Sequence, residues 1–148
     1  MKILFVGSLS EGQTSLMRMN VLKQLGYDVF PLSNQFYWDQ ARMLSRRIQQ
    51  GLEYGPIIEQ INRELLIAVH DFKPDMIWAE KQEYLKADVL LKISQLGTRL
   101  VHYTPDPYFS LSWKKTKYLD ESLSVYDCLI TSKKYEIQEY ESVNPNVL

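Results

Sequence analysis

The first thirty residues, "MKILFVGSLSEGQTSLMRMNVLKQLGYDVF" (Met1–Phe30), change hydrophobic period twice. Ile3 to Val6 is an unbroken apolar run that stops at Gly7. A run of that kind fits a strand buried on both faces of a parallel sheet. A small polar loop follows. Thr14 or Ser15 can then cap a helix carrying Met17, Val21, Leu22 and Leu25 on one stripe, with Gly26 as its stop. "YDVFPLS" (27–33) reads as a second short strand with Pro31 near its end. The N-terminus is therefore predicted to be one βαβ unit.

The same alternation continues outward from it. Between Asp39 and about Gly51, Ala41, Leu44, Ile48 and Leu52 fall at helical spacing, with Arg42, Arg46 and Arg47 mostly off that stripe. After the break at "YGP", Pro56 suits the first turn of a helix with Ile58, Ile61, Leu65, Ala68, Val69 and Phe72 on one face. "MIWAE" (76–80), "RLVHYT" (99–104) and "DCLIT" (127–131) are three further strands. A helix ending at Gly97 and another over "KKYEIQEYESV" (133–143) complete the pattern. Strands alternating with helices predict an α/β fold, a Rossmann-like open and mainly parallel sheet with helices on both faces. "NPNVL" (144–148) reads as a turn and the start of a sixth strand. Residues 1–148 are thus expected to form one Rossmann-like domain, truncated before a further one.

Composition narrows the function. The 148 residues are 45% apolar, enough for a real core, and 17 basic against 18 acidic side chains leave a net charge of −1. No one-sign field favours a nucleic-acid partner. Cys128 is the single cysteine, which fits a reducing, cytoplasmic setting, and its apolar neighbours predict a buried small residue rather than a reactive thiol. "MKILFVG" is too short for a signal peptide, and no apolar stretch approaches a membrane span. No metal-ligand spacing occurs, and neither a P-loop, a dinucleotide fingerprint nor a nucleophile elbow is present. No metal or cofactor is expected.

In an open α/β sheet, ligands bind beyond the carboxyl ends of the strands. This directs attention to "GSLSEGQTS" (7–15), "SNQFYWD" (33–39), "EKQEY" (80–84), "TPDPYF" (104–109) and "TSKKYE" (131–136). The first places Gly7, Ser8, Gly12 and Ser15 around a helix N-terminus. It either binds an anion or only turns the chain and caps the helix. Glu80 and Lys81 either orient hydroxyl groups, with the carboxylate as a base, or form a solvated ion pair. His102 and Tyr103 point to opposite faces of their strand. His102 is a base or a hydrogen-bonded structural group, and Asp106, flanked by prolines past the strand end, is better placed for a ligand. His70 lies near a helix C-terminus, where a cation is favoured. Arg42, Arg46 and Arg47 meet an anionic partner or form a solvated face.

Four segments, "KILFVGSLSEGQTSLMRMNVLKQLGYDV", "HDFKPDMIWAEK", "RLVHYTPDPYF" and "YDCLITSKKYEIQEY", come in an order that resembles the N-terminal half of GT-B-fold glycosyltransferases, particularly the bacterial group similar to spore maturation proteins. The resemblance covers most of the chain. It implies an acceptor-side domain facing a donor-binding C-terminal domain across a cleft. A sugar would pass from a nucleotide-sugar donor to a hydroxyl on a glycan, lipid or small molecule. Gly7, Ser8, Gly12 and Ser15 would lie against the donor diphosphate, Glu80, Lys81 and Tyr103 would line the acceptor cleft, and His102 or Asp106 would be the base. Relatives often carry paired aspartates where this chain has Asp106 and Pro107, which weakens the role carried over to that position. The donor-binding half lies outside these residues, so the chain alone is expected to be inactive. The rival expectation is a non-enzymatic flavodoxin-like regulatory or protein-interaction domain.

Overall fold

The computed structural model describes residues 1–111 and 115–148. Its frame is a five-stranded sheet of β1 (Lys2–Gly7), β2 (Asp28–Ser33), β3 (Met76–Glu80), β4 (Arg99–Thr104) and β5 (Cys128–Thr131). The strand order is β2-β1-β3-β4-β5 and every pair is parallel, so the predicted α/β class and Rossmann-like sheet are observed. Pro31 sits in β2, an edge strand, opposite Phe5. At the other edge Val147 bridges Leu129 in parallel, the pairing expected of "NPNVL".

Among the described residues, seven α-helices accompany the sheet: α1 (Thr14–Gln24), α2 (Asn34–Asp39), α3 (Met43–Leu52), α4 (Pro56–Phe72), α5 (Ala87–Gln95), α6 (Lys117–Ser122) and α7 (Ile137–Val143). Alternate strand residues separate the two faces. Leu4, Val6, Ile77, Ala79, Leu100 and Leu129 meet α4 through Ile58, Ile61, Leu65 and Val69 and α5 through Val89, Leu90 and Ile93. Ile3, Phe5 and Val29 meet α1 through Met19, with Leu16 and Leu22 beside it. Complete burial of the aliphatic residues on the α4 face is worth roughly 1.5–3 kcal/mol per side chain, and this layer forms most of the core. Among the described residues, no helix is long and apolar enough to cross a membrane.

Two helices turn other faces inward than their apolar spacing predicts. In α1, Ser15 and Met19 are buried, while Met17, Val21 and Leu25 are each at least half exposed. The rotation is set by polar anchors, since Ser15 and Arg18 both bind Glu80 at the end of β3. Gly7 permits the close seating: a Cβ there would lie 3.1 Å from the Phe5 ring and 3.5 Å from the Ser15 Cβ. The helix expected from Asp39 to about Gly51 begins later, as α3 at Met43, and the short helix α2 precedes it. In α3 only Gln49 is buried, and Leu44, Ile48 and Leu52 face outward. The Gln49 amide holds α3 in that rotation, accepting from Ile57 N–H in the first turn of α4 and donating to Ser45 Oγ.

Candidate functional site

Chain connections leave β1 and β3 toward opposite faces of the sheet, so their carboxyl ends open a crevice at the topological switch point. A cavity of about 260 Å³ occupies it. Ser8 and Gln13 come from the β1–α1 loop, Asn34 and Trp38 from α2, Arg46 and Gln50 from α3, and residues 80–84 from the loop after β3.

Glu80 is fully buried at the cavity's base. Its carboxylate accepts from Ser15 Oγ at 2.7 Å and from the Arg18 fork at 2.9 and 2.6 Å. The hydrogen bond to Glu80 raises the Arg18 pKa above its ordinary value, against the opposing effect of burial. Arg18 also lies over the Tyr103 ring, 4.7 Å from its centroid. Ser15 and Glu80 border the cavity, yet their polar groups bind each other. Glu80 thus fastens α1 to β3 and does not form the expected solvated ion pair with Lys81, which pairs with Asp106 instead. Tyr103 stands on the α1 side of the sheet beside Trp78, away from the cavity.

The β1–α1 loop is simpler than its glycines suggest. Gly12 takes a φ of 82°, which makes a turn, and Gln13 N–H donates to Ser10 C=O. The residue preceding α1 is Gln13, and no side chain caps the helix, which corrects the expected cap at Thr14 or Ser15. The first-turn N–H groups of a helix have no intrahelical partners, so this end is positive and uncapped. Ser8 reaches the cavity wall, whereas Gly7 serves the packing of α1.

Lys81 adopts a left-handed backbone with φ 53°, a conformation that costs a non-glycine residue roughly 1–2 kcal/mol. Its N–H donates to Tyr103 C=O, and its Nζ pairs with Asp106 Oδ2 at 3.1 Å. Behind this pair lies a second cavity of about 40 Å³, bordered by His102, Thr104 and Tyr108. Lys81 borders both cavities. His102 is almost wholly buried beside the Tyr126 ring, and neither ring nitrogen makes a hydrogen bond of full geometry. Burial, partly offset by the Gln82 backbone, pushes its pKa down to about 4, so the imidazole is neutral. His102 and Asp106, separated by a turn of chain, thus meet at one small cavity.

Several residues at the site carried no individual signal. Gln82 Nε2 donates to Glu80 C=O at 2.7 Å, and Asn34 Nδ2 donates to Gln82 Oε1. Asn62, buried on α4, donates to Tyr84 C=O and accepts from Lys86 N–H, which clamps the far end of the same loop. Trp38 and Tyr84 pack with ring centroids 5.2 Å apart. Asn34, Trp38, Gln82 and Tyr84 fall within stretches that topology singled out. Arg18, Gln50 and Asn62 lie inside helices, where nothing local marks them, whereas Arg46, one of the three arginines singled out in the sequence, reaches the cavity and pairs with Asp39. Cys128 is half-buried, and burial and Asp127 push its thiol pKa up, away from reactivity. His70 is exposed and pairs with Asp71. No protein-family model matches the chain, and no curated protein matches it closely enough to count as a relative.

Proposed function

We propose that the chain is the acceptor-side domain of a GT-B-type glycosyltransferase, one that moves a sugar from a nucleotide-sugar donor to a hydroxyl. The observation that carries this reading is the polar cavity at the β1/β3 switch point, beside the uncapped N-terminus of α1. A diphosphate over the loop from Gly7 to Ser15 would meet backbone N–H groups and a positive helix end. Ser8 is the hydroxyl of that loop best placed to help, because Ser15 is held by Glu80.

In the transfer, the acceptor oxygen bonds to the anomeric carbon as the bond from that carbon to the diphosphate breaks. The nucleoside diphosphate leaves, and the acceptor proton passes to a base. Access favours Asp106 over His102 in that role. Asp106 is partly exposed and held by Lys81, while His102 is enclosed and its proton affinity is lowered by burial. The donor's sugar and base would be held by a second domain, so this chain alone is expected not to transfer sugar.

The strand order favours a second reading, because 2-1-3-4-5 is also that of flavodoxin-like regulatory domains. Gly7 and Ser8, rather than acidic residues, stand at the end of β1, which disfavours a phosphoacceptor among these. Backbone NMR titration with uridine, guanosine and thymidine diphosphates separates the two. Millimolar binding that shifts residues 8–15 supports the transferase reading, and no shift at the carboxyl edge of the sheet with any of them refutes it.

A further inference from the structure

We infer that the switch-point cavity binds one uncharged, hydroxyl-rich ring, a sugar, through a set of side-chain amides. If the transferase reading holds, this ring is the acceptor, and that assignment of role alone rests on it. Asn34, Gln35, Gln50 and Gln82 line the cavity together with Gln13. An amide both donates and accepts, as a hydroxyl does, so such a lining matches a polyol better than an anion or a hydrocarbon. The cations nearby are already engaged, Arg46 with Asp39 at 3.7 Å and Lys81 with Asp106. An acyl chain entering here would strip water from these amides and offer no partner in return.

The orientation of one amide is fixed by its neighbours. Glu80 C=O can only accept, so Gln82 must turn its Nε2 toward it and present Oε1 to Asn34. Asn34 must then donate through Nδ2. Its Oδ1 is buried without a hydrogen-bond partner, on a side chain only 6% exposed, so the Asn34–Gln82 pair is fixed in one orientation beside the cavity. The adjoining Trp38 and Tyr84 rings give the cavity an apolar wall for the C–H face of a sugar. At about 260 Å³ the space is smaller than the roughly 300–1,000 Å³ of drug-sized pockets and suits a single ring.

The test is NMR titration of the whole chain with the methyl glycosides of glucose, galactose, mannose and N-acetylglucosamine, each to tens of millimolar, with inorganic pyrophosphate alongside. At least one glycoside is expected to shift the amides of Gln35, Gln82 and Tyr84 and the side-chain amide of Asn34. Asn34→Ala should weaken that binding about tenfold. Because Asn34→Ala also frees Gln82, Gln50→Ala provides a variant at the rim that is expected to keep the melting temperature and still weaken binding. Failure of all four glycosides to shift these residues, unchanged affinity in Gln50→Ala and Asn34→Ala, or tighter binding of pyrophosphate in the cavity would each overturn the proposal. Nucleoside diphosphates acting on residues 8–15 without glycoside binding would sink this proposal and leave the transferase reading intact. Glycoside binding without any nucleotide response would do the reverse.

Discussion

Lowering the pH from 7 to 5 should destabilise the protein through His102 alone by about 2 kcal/mol. The imidazole sits enclosed behind the Lys81–Asp106 pair, and burial holds its pKa at about 4 against an ordinary 6.5. Below pH 6.5 the unfolded chain takes up a proton that the native state refuses, so stability falls until the pH passes about 4. The full difference of 2.5 units corresponds to roughly 3 kcal/mol. By pH 5 about 2 kcal/mol of it has been lost. Glu136 does not confuse this window. Burial pushes its pKa up, but hydrogen bonds from Ser110 and the backbone N–H groups of residues 108–110 outweigh that and leave it lowered. Its contribution is therefore present above its unfolded value of 4.5 and is lost only below it. Urea unfolding of the wild type and of His102→Phe, at pH 7 and at pH 5, isolates the histidine. The wild type should lose about 2 kcal/mol more than the variant between the two conditions. Equal losses in both proteins would show that His102 titrates normally, and the picture of an enclosed neutral imidazole would be wrong.

Other positions give sharper single-site expectations. Arg18→Ala leaves the fully buried Glu80 carboxylate with only Ser15 and should cost about 2–3 kcal/mol in chemical denaturation. That is below the cost for a wholly enclosed pair, since the Arg18 end is partly exposed and water can follow. Gly55→Ala should cost about 2 kcal/mol or more, because φ is 150° there and a Cβ would overlap the Gln49 amide that caps α4. Loss of Gln49's bond to Ile57 would appear as increased amide exchange in the first turn of α4. Asn62→Ala removes both bonds that clamp the 84–86 loop and should lower stability by about 2 kcal/mol. It should also weaken glycoside binding if the cavity depends on that loop's shape.

The sheet was legible because its strands are local signals. An apolar run ending at glycine, a change of period and a following helix repeat along the chain, and parallel pairing follows from them. Helix faces were less legible, for a physical reason that α1 and α3 share. Met17, Val21 and Leu25, like Leu44, Ile48 and Leu52, have the spacing of a core stripe, yet both sets face outward. Ser15 and Arg18 in one helix and Gln49 in the other make long-range hydrogen bonds that fix the rotation instead. Hydrophobic spacing shows that a helix can form. Which side turns inward depends on partners many residues away, and those are invisible to a local pattern.

The same distinction governs the site. Fold rules located its strand-end stretches, but the roles within them depended on which neighbours met. Glu80, Lys81 and Gln82 are consecutive and serve three environments: α1, Asp106 and Asn34. The left-handed backbone at Lys81 is what divides them. Had the chain continued as regular strand, Glu80 and Gln82 would point to one face together. The turn instead lets Gln82 fold back onto the Glu80 carbonyl and hold Asn34 at the cavity wall. Left-handed backbone also stands at Glu53 and Lys73, where it ends α3 and α4, whereas at Lys81 it follows a strand and shapes the cavity wall. Strand order cannot separate a transferase domain from a flavodoxin-like regulator, since a fold does not dictate chemistry. The weight of the functional reading therefore rests on the amide-lined cavity that this turn organises.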